Sequence, residues 1–271
     1  MQLSRPARTA LRAVAAIGFA IIYVPLLLVL ANSFNVDKTF GWPPSGFTLR
    51  WWGDAWHSSG ARDALWTSVK AGLGATAIAL VLGTLIAFAV QRYRFFGRES
   101  ISFVVVLPIA LPGIVTGVAL NTAFRAVLEP LGVGLGLFTV IVGHATFCVV
   151  VVFNNVVARL RRMSGSYEEA AADLGADTFQ TFRDITFPLV RSALVAGGLL
   201  AFALSFDEIV VTTFTAGPGV QTLPVWIFSN MARLQQAPVV NVVAAVLVLL
   251  SVIPVYLAQR LSSDTASGSR I

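Results

Sequence analysis

Five stretches of this chain, 13–36, 71–91, 100–124, 130–158 and 234–259, contain no charged residue and are dominated by apolar ones. A helix of about 20 such residues crosses the ~30 Å hydrocarbon core of a bilayer, so each run is long enough to span. A sixth run, 192–206, meets Asp207 and Glu208 and reaches span length only by continuing through them to near Thr215. The expectation is an all-α membrane protein with six transmembrane helices, at approximately 13–34, 66–91, 100–125, 134–158, 189–214 and 236–260. Composition agrees: 56% of residues are hydrophobic and 12% charged, against about 25% charged in a soluble domain. Such a chain cannot cover its surface with polar groups, so membrane lipid is its solvent over much of that surface.

Basic residues set the orientation. With the N-terminus inside, the cytoplasmic side holds Arg5, Arg8, Arg12, Arg92, Arg94, Arg98, Arg159, Arg161, Arg162, Arg183, Arg191, Arg260 and Arg270. The opposite side and the spans hold Lys38, Arg50, Arg62, Lys70, Arg125 and Arg233. This bias follows the positive-inside rule and places both termini in the cytoplasm. The net charge of +6 therefore reads as topology, and nucleic acid is not an expected partner. The first apolar run is longer than the roughly 7–15 residues of a signal-peptide core, so it reads as a retained helix. The outer loop, 35–64, carries Trp42, Trp51, Trp52 and Trp56. If "TLRWWGDAW" is helical, Trp52 and Trp56 share a face, suited to headgroup anchoring, to an external protein, or to both.

Catalytic chemistry is missing. The two histidines, His57 and His144, belong to no H-E-x-x-H metal motif, and no glycine is followed two positions later by a serine nucleophile. Lys38 and Lys70 follow no phosphate-binding glycine loop. The single cysteine, Cys148, can form no intramolecular disulfide. His144 reads as a hydrogen-bonded packing residue. No catalytic residue, cofactor site or metal site is expected.

Charge is concentrated instead in one short stretch: Arg159 to Arg191 holds ten of the 32 charged side chains. Ser166 followed by Glu169 has the spacing of a capping box, and Ala170, Ala171 and Ala172 favour helix. Gly175 suits a left-handed helix end. Asp177 with Gln180 suggests a second start, and Pro188 a third. The expected structure is two short helices joined by a glycine turn. A helix lying on lipid is usually rich in Lys and Arg, whereas this first helix carries Glu168, Glu169 and Asp173 and no base. It fits a protein groove better than a membrane surface.

The segment "EAAADLGADTFQTFRDITFP" resembles the EAA loop of the membrane subunits of binding-protein-dependent (type I) ABC importers. That pattern is E-A-A, three residues, Gly, nine residues, then I-x-L-P, matched here by Glu169, Ala170, Ala171, Gly175, Ile185 and Pro188, with Phe187 in place of Leu. The resemblance covers nearly the whole chain and implies the MetI-like permease fold in a bacterial cytoplasmic (inner) membrane. It also implies that 159–188 is a coupling loop docking on an ATPase subunit, through Ser166, Glu168, Glu169, Ala170, Ala171, Asp173, Gly175, Ile185 and Pro188. ATP and Mg would then be held by two ATPase partners and not by this chain. A second, homologous permease would complete the pathway, and an external substrate-binding protein would deliver the cargo.

For the pathway, "LPIALPGIVTG" places Pro108 and Pro112 where each removes an amide and kinks a helix, with Gly113 and Gly117 forming a small-residue packing face. Asp207 lies about 28 Å along the fifth span from Pro188, near its outer edge. Asp207 and Glu208 therefore either reach outer water or face a pathway. "LSFDEIVVTTFTAGPGVQTLPVWIF" and "GWPPSGFTLRWW" resemble the spermidine/putrescine permease group, implying a polyamine cargo. Related permeases for iron, phosphonates or other organic solutes share much of the pattern. An ion-driven secondary transporter would need ionisable groups near the midplane, and no acid stands at mid-span in this reading.

Overall fold

The structure is a computed structural model describing residues 4–38, 42–233 and 235–267. Among them the regular elements are all helical, with one isolated antiparallel bridge between Asn35 and Phe47. In chain order the α-helices are α1 (Arg5–Asn32), α2 (Arg50–His57), α3 (Ser59–Arg92), α4 (Arg98–Ala110), α5 (Gly113–Val127), α6 (Leu137–Arg162), α7 (Ser166–Asp173), α8 (Thr178–Thr181), α9 (Phe187–Phe206), α10 (Val210–Thr215), α11 (Leu223–Asn230) and α12 (Ala237–Ser267), with a short 3-10 turn at Glu129–Leu131 and a π turn at Phe182–Thr186. Among the described residues, five helical segments are long and apolar enough to cross a membrane: Pro6–Asn32, Ser59–Arg92, Gly113–Leu131, Leu137–Arg162 and Thr178–Phe206. Ala237–Ile253 is a shorter apolar stretch.

Two compact units divide the chain. One comprises residues up to Arg62 together with Trp226–Leu250. Here the loop after α1 folds onto α2: the Trp51 indole donates to the Asn35 carbonyl at 2.8 Å, and Trp52 stacks on Phe34 at 5.2 Å. Trp56 points outward and is exposed. Tryptophans 51 and 52 are thus anchored by the loop, while Trp56 is left available.

The other unit, Asp63–Val225 with the segment from Ser251, is organised around α6. The apolar window of α6 is 61% buried, against 33% for that of α3. On α3, Ala71, Ala75, Ala79, Gly83 and Ala87 recur every four residues, which puts them on one helix face. The four alanines are buried. A Cβ at Gly83 would stand 2.9 Å from the Val149 carbonyl oxygen on α6, so the two backbones nearly touch. Lipid tails are as apolar as leucine, and close packing of small residues is what holds helices together in that solvent.

Two expected spans are interrupted. The run 100–125 forms α4 and α5 instead of one kinked helix. Leu111 is extended (φ −81°, ψ 144°), the conformation that a following proline imposes, so Pro112 ends one helix and caps the next, while Pro108 stays inside α4. The fifth span was expected to run through Asp207 and Glu208, but α9 stops at Phe206 and α10 starts at Val210.

At its other end, Pro188 sits in the first turn of α9, as expected, yet helical structure is continuous from Thr178 to Phe206. The reason is a π-helical turn, Phe182–Thr186, in which the Phe187 amide donates to the Phe182 carbonyl. This wider turn accommodates a proline that has no amide to give.

Candidate functional site

The charged hairpin is built by local rules. The α7 helix ends at a left-handed Gly175 (φ 82°). The Ala176 amide donates to Ala171 at 3.0 Å and the Gly175 amide to Ala172 at 2.9 Å, the paired bonds of a Schellman stop. Next, Asp177 Oδ1 accepts from the Gln180 amide at 2.8 Å, and Gln180 Oε1 accepts from the Asp177 amide at 3.0 Å. This second capping box forms as expected.

The first does not form. Ser166 is already the first helical residue, and its hydroxyl pairs with Ser164 Oγ at 2.7 Å. Gly165 before it is helical in φ and ψ (−60°, −22°), whereas a box needs an extended cap.

The two adjacent glutamates part company. Glu169 faces outward with Tyr167, Ala170, Asp173 and Leu174. Leu174 is 89% exposed, and Phe179 across the turn is 70% exposed. Together they make an acidic rim around two apolar tips. Glu168 turns inward beside the buried Ala171: its Oε1 lies 2.9 Å from Arg92 Nη2 and accepts from Thr186 Oγ1 at 3.0 Å. These three residues line a cleft of about 330 Å³ with Phe88, Ala172 and Phe182. Ile185 is half-buried in the π turn and Pro188 is exposed. Arg92 was counted at the sequence level only as a topological charge, since no local rule links residues so far apart in the chain.

A second polar cluster surrounds the break after α9. Asp207 is exposed at the helix end. Glu208 is half-buried, and its Oε1 accepts from the Val211 amide at 2.8 Å, so it caps α10. His144 of α6 reaches across the gap to Ser205 on α9 and Thr212 on α10. Two more bonds hold the far end of α10: Asn121 Nδ2 donates to the Phe214 carbonyl at 2.6 Å, and Thr139 Oγ1 to the Thr215 carbonyl at 2.7 Å. Gly113 and Gly117 face Val210 and Phe214, so the small-residue pair of α5 serves α10. Beyond α10, Arg125, Glu129, Leu135, Gly217 and Pro218 border an open cavity of about 560 Å³.

Asp207 thus stands at an interruption bridged by the hydrogen bonds of His144, Ser205, Thr212 and Glu208. Among the described residues, no three His, Cys, Asp or Glu side chains gather as a metal site. A residue pattern that could have disclosed this cluster is present in the sequence: Ser205, Thr212 and Thr215 are polar residues in an apolar stretch, and inside a membrane such groups require partners.

The family model described as "binding-protein-dependent transport system inner membrane component" matches residues 79–266. The putrescine transport system permease protein PotI of Escherichia coli (strain K12) is 34% identical over 235 residues, 85% of this chain and 83% of that one. The spermidine/putrescine transport system permease protein PotC of Escherichia coli (strain K12) is 34% identical over 251 residues, 93% of each chain. Among solved structures, a bacterial ABC transporter involved in the import of the acidic polysaccharide alginate superposes with a TM-score of 0.65 at 19% identity, covering 97% of this chain and 99% of that one. At that identity the likeness shows the fold.

Proposed function

Because the chain belongs to the family of binding-protein-dependent transport system inner membrane components, we propose that it is one of two permease subunits of an ATP-driven importer for polyamines. It is a multi-pass inner-membrane protein of permease fold. The observation that carries the coupling role is the hairpin: two short capped helices presenting Glu169, Asp173, Leu174 and Phe179 outward around a left-handed glycine. An acidic rim around exposed apolar tips suits a basic groove on an ATPase subunit. ATP and Mg are held there, and this chain binds no cofactor of its own. The polyamine assignment rests on the 34% identity to the two polyamine permeases. A substrate-binding protein delivers the cargo from outside, and a second permease closes the pathway, beside which lie Pro108, Pro112, Asp207 and Glu208. Interrupted spans also occur in ion-driven carriers; the hairpin is what favours the ATP-driven class.

The test is reconstitution of the full complex in proteoliposomes with its binding protein. Uptake of radiolabelled spermidine or putrescine that requires ATP and the binding protein supports the reading. ATP-independent uptake by this chain alone overturns it. Uptake of iron or phosphonates in place of polyamines overturns the cargo assignment and leaves the permease role standing. Gly175→Trp should abolish substrate-stimulated ATPase activity, and unchanged activity would remove the hairpin from the coupling path.

A further inference from the structure

We propose that Glu168 is not a docking contact but a positioning residue, the internal latch through which motion of α7 reaches the membrane helices. This rests on the coupling role of the hairpin. The α7 helix has eight residues, too few to hold its own orientation by helix formation alone. Its inward face carries the buried Ala171 and one carboxylate oxygen. Glu168 Oε1 is shared between Arg92 Nη2 at 2.9 Å and Thr186 Oγ1 at 3.0 Å. Arg92 is the last residue of the 34-residue α3. Thr186 is the last residue of the π turn that leads directly into α9. A single atom thereby joins the docking helix to the ends of two long helices.

The surroundings make this junction more than a surface ion pair. The two side chains are only 22% and 28% exposed, so solvent screens the pair less than a pair at the open surface. Arg92 Nε and Nη2 are both buried and neither has a geometrically aligned hydrogen-bond partner, so the contact with Glu168 is an ion pair by proximity, and the guanidinium depends on it for charge compensation. Thr186 is buried as well. Removing the carboxylate strands a cation and a hydroxyl together. The neighbouring Glu169 makes no such contact and is fully available to a partner. One step along a helix turns a side chain by about 100°, which is enough to divide two adjacent acids between an inner and an outer duty.

The experiment compares Glu168→Gln, Arg92→Gln, the double exchange Glu168→Arg with Arg92→Glu, and Glu169→Lys, each in the reconstituted complex. Co-purification of the ATPase subunit reports docking, and spermidine uptake per ATP hydrolysed reports coupling. Glu168→Gln and Arg92→Gln are expected to retain the ATPase subunit while uptake per ATP falls about threefold or more. The exchange should recover most of that loss. Thr186→Val removes only one of the two contacts, tests the same junction if a charge variant fails to fold, and should shift uptake per ATP in the same direction. Loss of the ATPase from Glu168→Gln, as from Glu169→Lys, would overturn the latch and make Glu168 a docking contact. Unchanged uptake per ATP in the single variants, or no recovery in the exchange, would overturn it too. If Glu169→Lys itself retains the ATPase subunit and full coupling, the hairpin's coupling role has failed, a result separate from the fate of the latch.

Discussion

His144 Nε2 stands 2.8 Å from Thr212 Oγ1, on the far side of the break that ends α9. The Thr212 hydroxyl already donates to the Glu208 carbonyl at 3.0 Å, so the imidazole must be the donor in its bond to Thr212. Nδ1 then accepts from Ser205 Oγ at 2.7 Å. One neutral ring thus bonds both α9 and α10. His144→Leu keeps the volume and loses both bonds, stranding the buried Ser205 hydroxyl and leaving Thr212 only its bond to the Glu208 carbonyl. The expected cost is about 2 kcal/mol or more, read as a lower unfolding temperature of the purified protein, with a parallel loss of uptake. An unshifted unfolding temperature would show that the gap is held without the ring.

At Gly117, α5 packs tightly against Phe214 of α10. A Cβ there would lie 2.5 Å from Phe214 Cδ2, so Gly117→Ala requires the ring to move. About 1–3 kcal/mol of destabilisation is expected from such overpacking. Combining it with Phe214→Leu should cost less than the sum of the two single changes, because the second removes the obstacle created by the first. Additive costs in the unfolding assay would mean that the two helices do not share this contact.

The loop after α10 makes a stricter demand. A Cβ on Gly217 would overlap the carbonyl oxygen of Leu135, and no rotamer change can move a backbone oxygen aside. Gly134, one position before that residue, has no heavy atom near its own missing Cβ. Gly217→Ala is therefore expected to lower the yield of folded protein sharply and Gly134→Ala to leave it unchanged, as measured by size-exclusion profiles of the two variants. Equal profiles would mean that the loop can leave Leu135 without cost.

Sequence patterns disclosed these features unevenly. Uncharged runs located the long helices because burial in lipid is a property of each segment by itself. They could not disclose the stops at Leu111 and Phe206, because a proline or an acid in such a run can kink a helix, end it or face a cavity. At Leu111 the proline ends the helix, whereas the break after Phe206 is bridged by a partner from elsewhere in the chain, His144.

Capping shows the same limit on a smaller scale. Ser166 with Glu169 and Asp177 with Gln180 have the same spacing, yet only the second pair closes, since Gly165 has already entered the helix. The alanine face of α3 was legible in principle, as a small residue every fourth position. Arg92 with Glu168 was not, because that pairing exists only once the hairpin has folded back beneath α3.

Leu174 and Phe179 provide the sharpest separation of fold from docking. Both are large, apolar and exposed, and they flank a Gly175 whose missing Cβ would meet no heavy atom within 4 Å. Changing Gly175 to Ala therefore costs backbone strain, about 1–2 kcal/mol for a left-handed residue, and Gly175→Asn should cost less. Leu174→Asp and Phe179→Asp touch neither that backbone nor the buried face of α7, so thermal stability of the isolated chain should be unchanged. If these side chains enter a groove on the ATPase subunit, each aspartate places an unpaired charge in an apolar contact. The amount of ATPase retained on purification should then fall about tenfold or more. Retention at the wild-type level by both aspartate variants would move the docking surface off this hairpin tip, whatever the effect of the glycine.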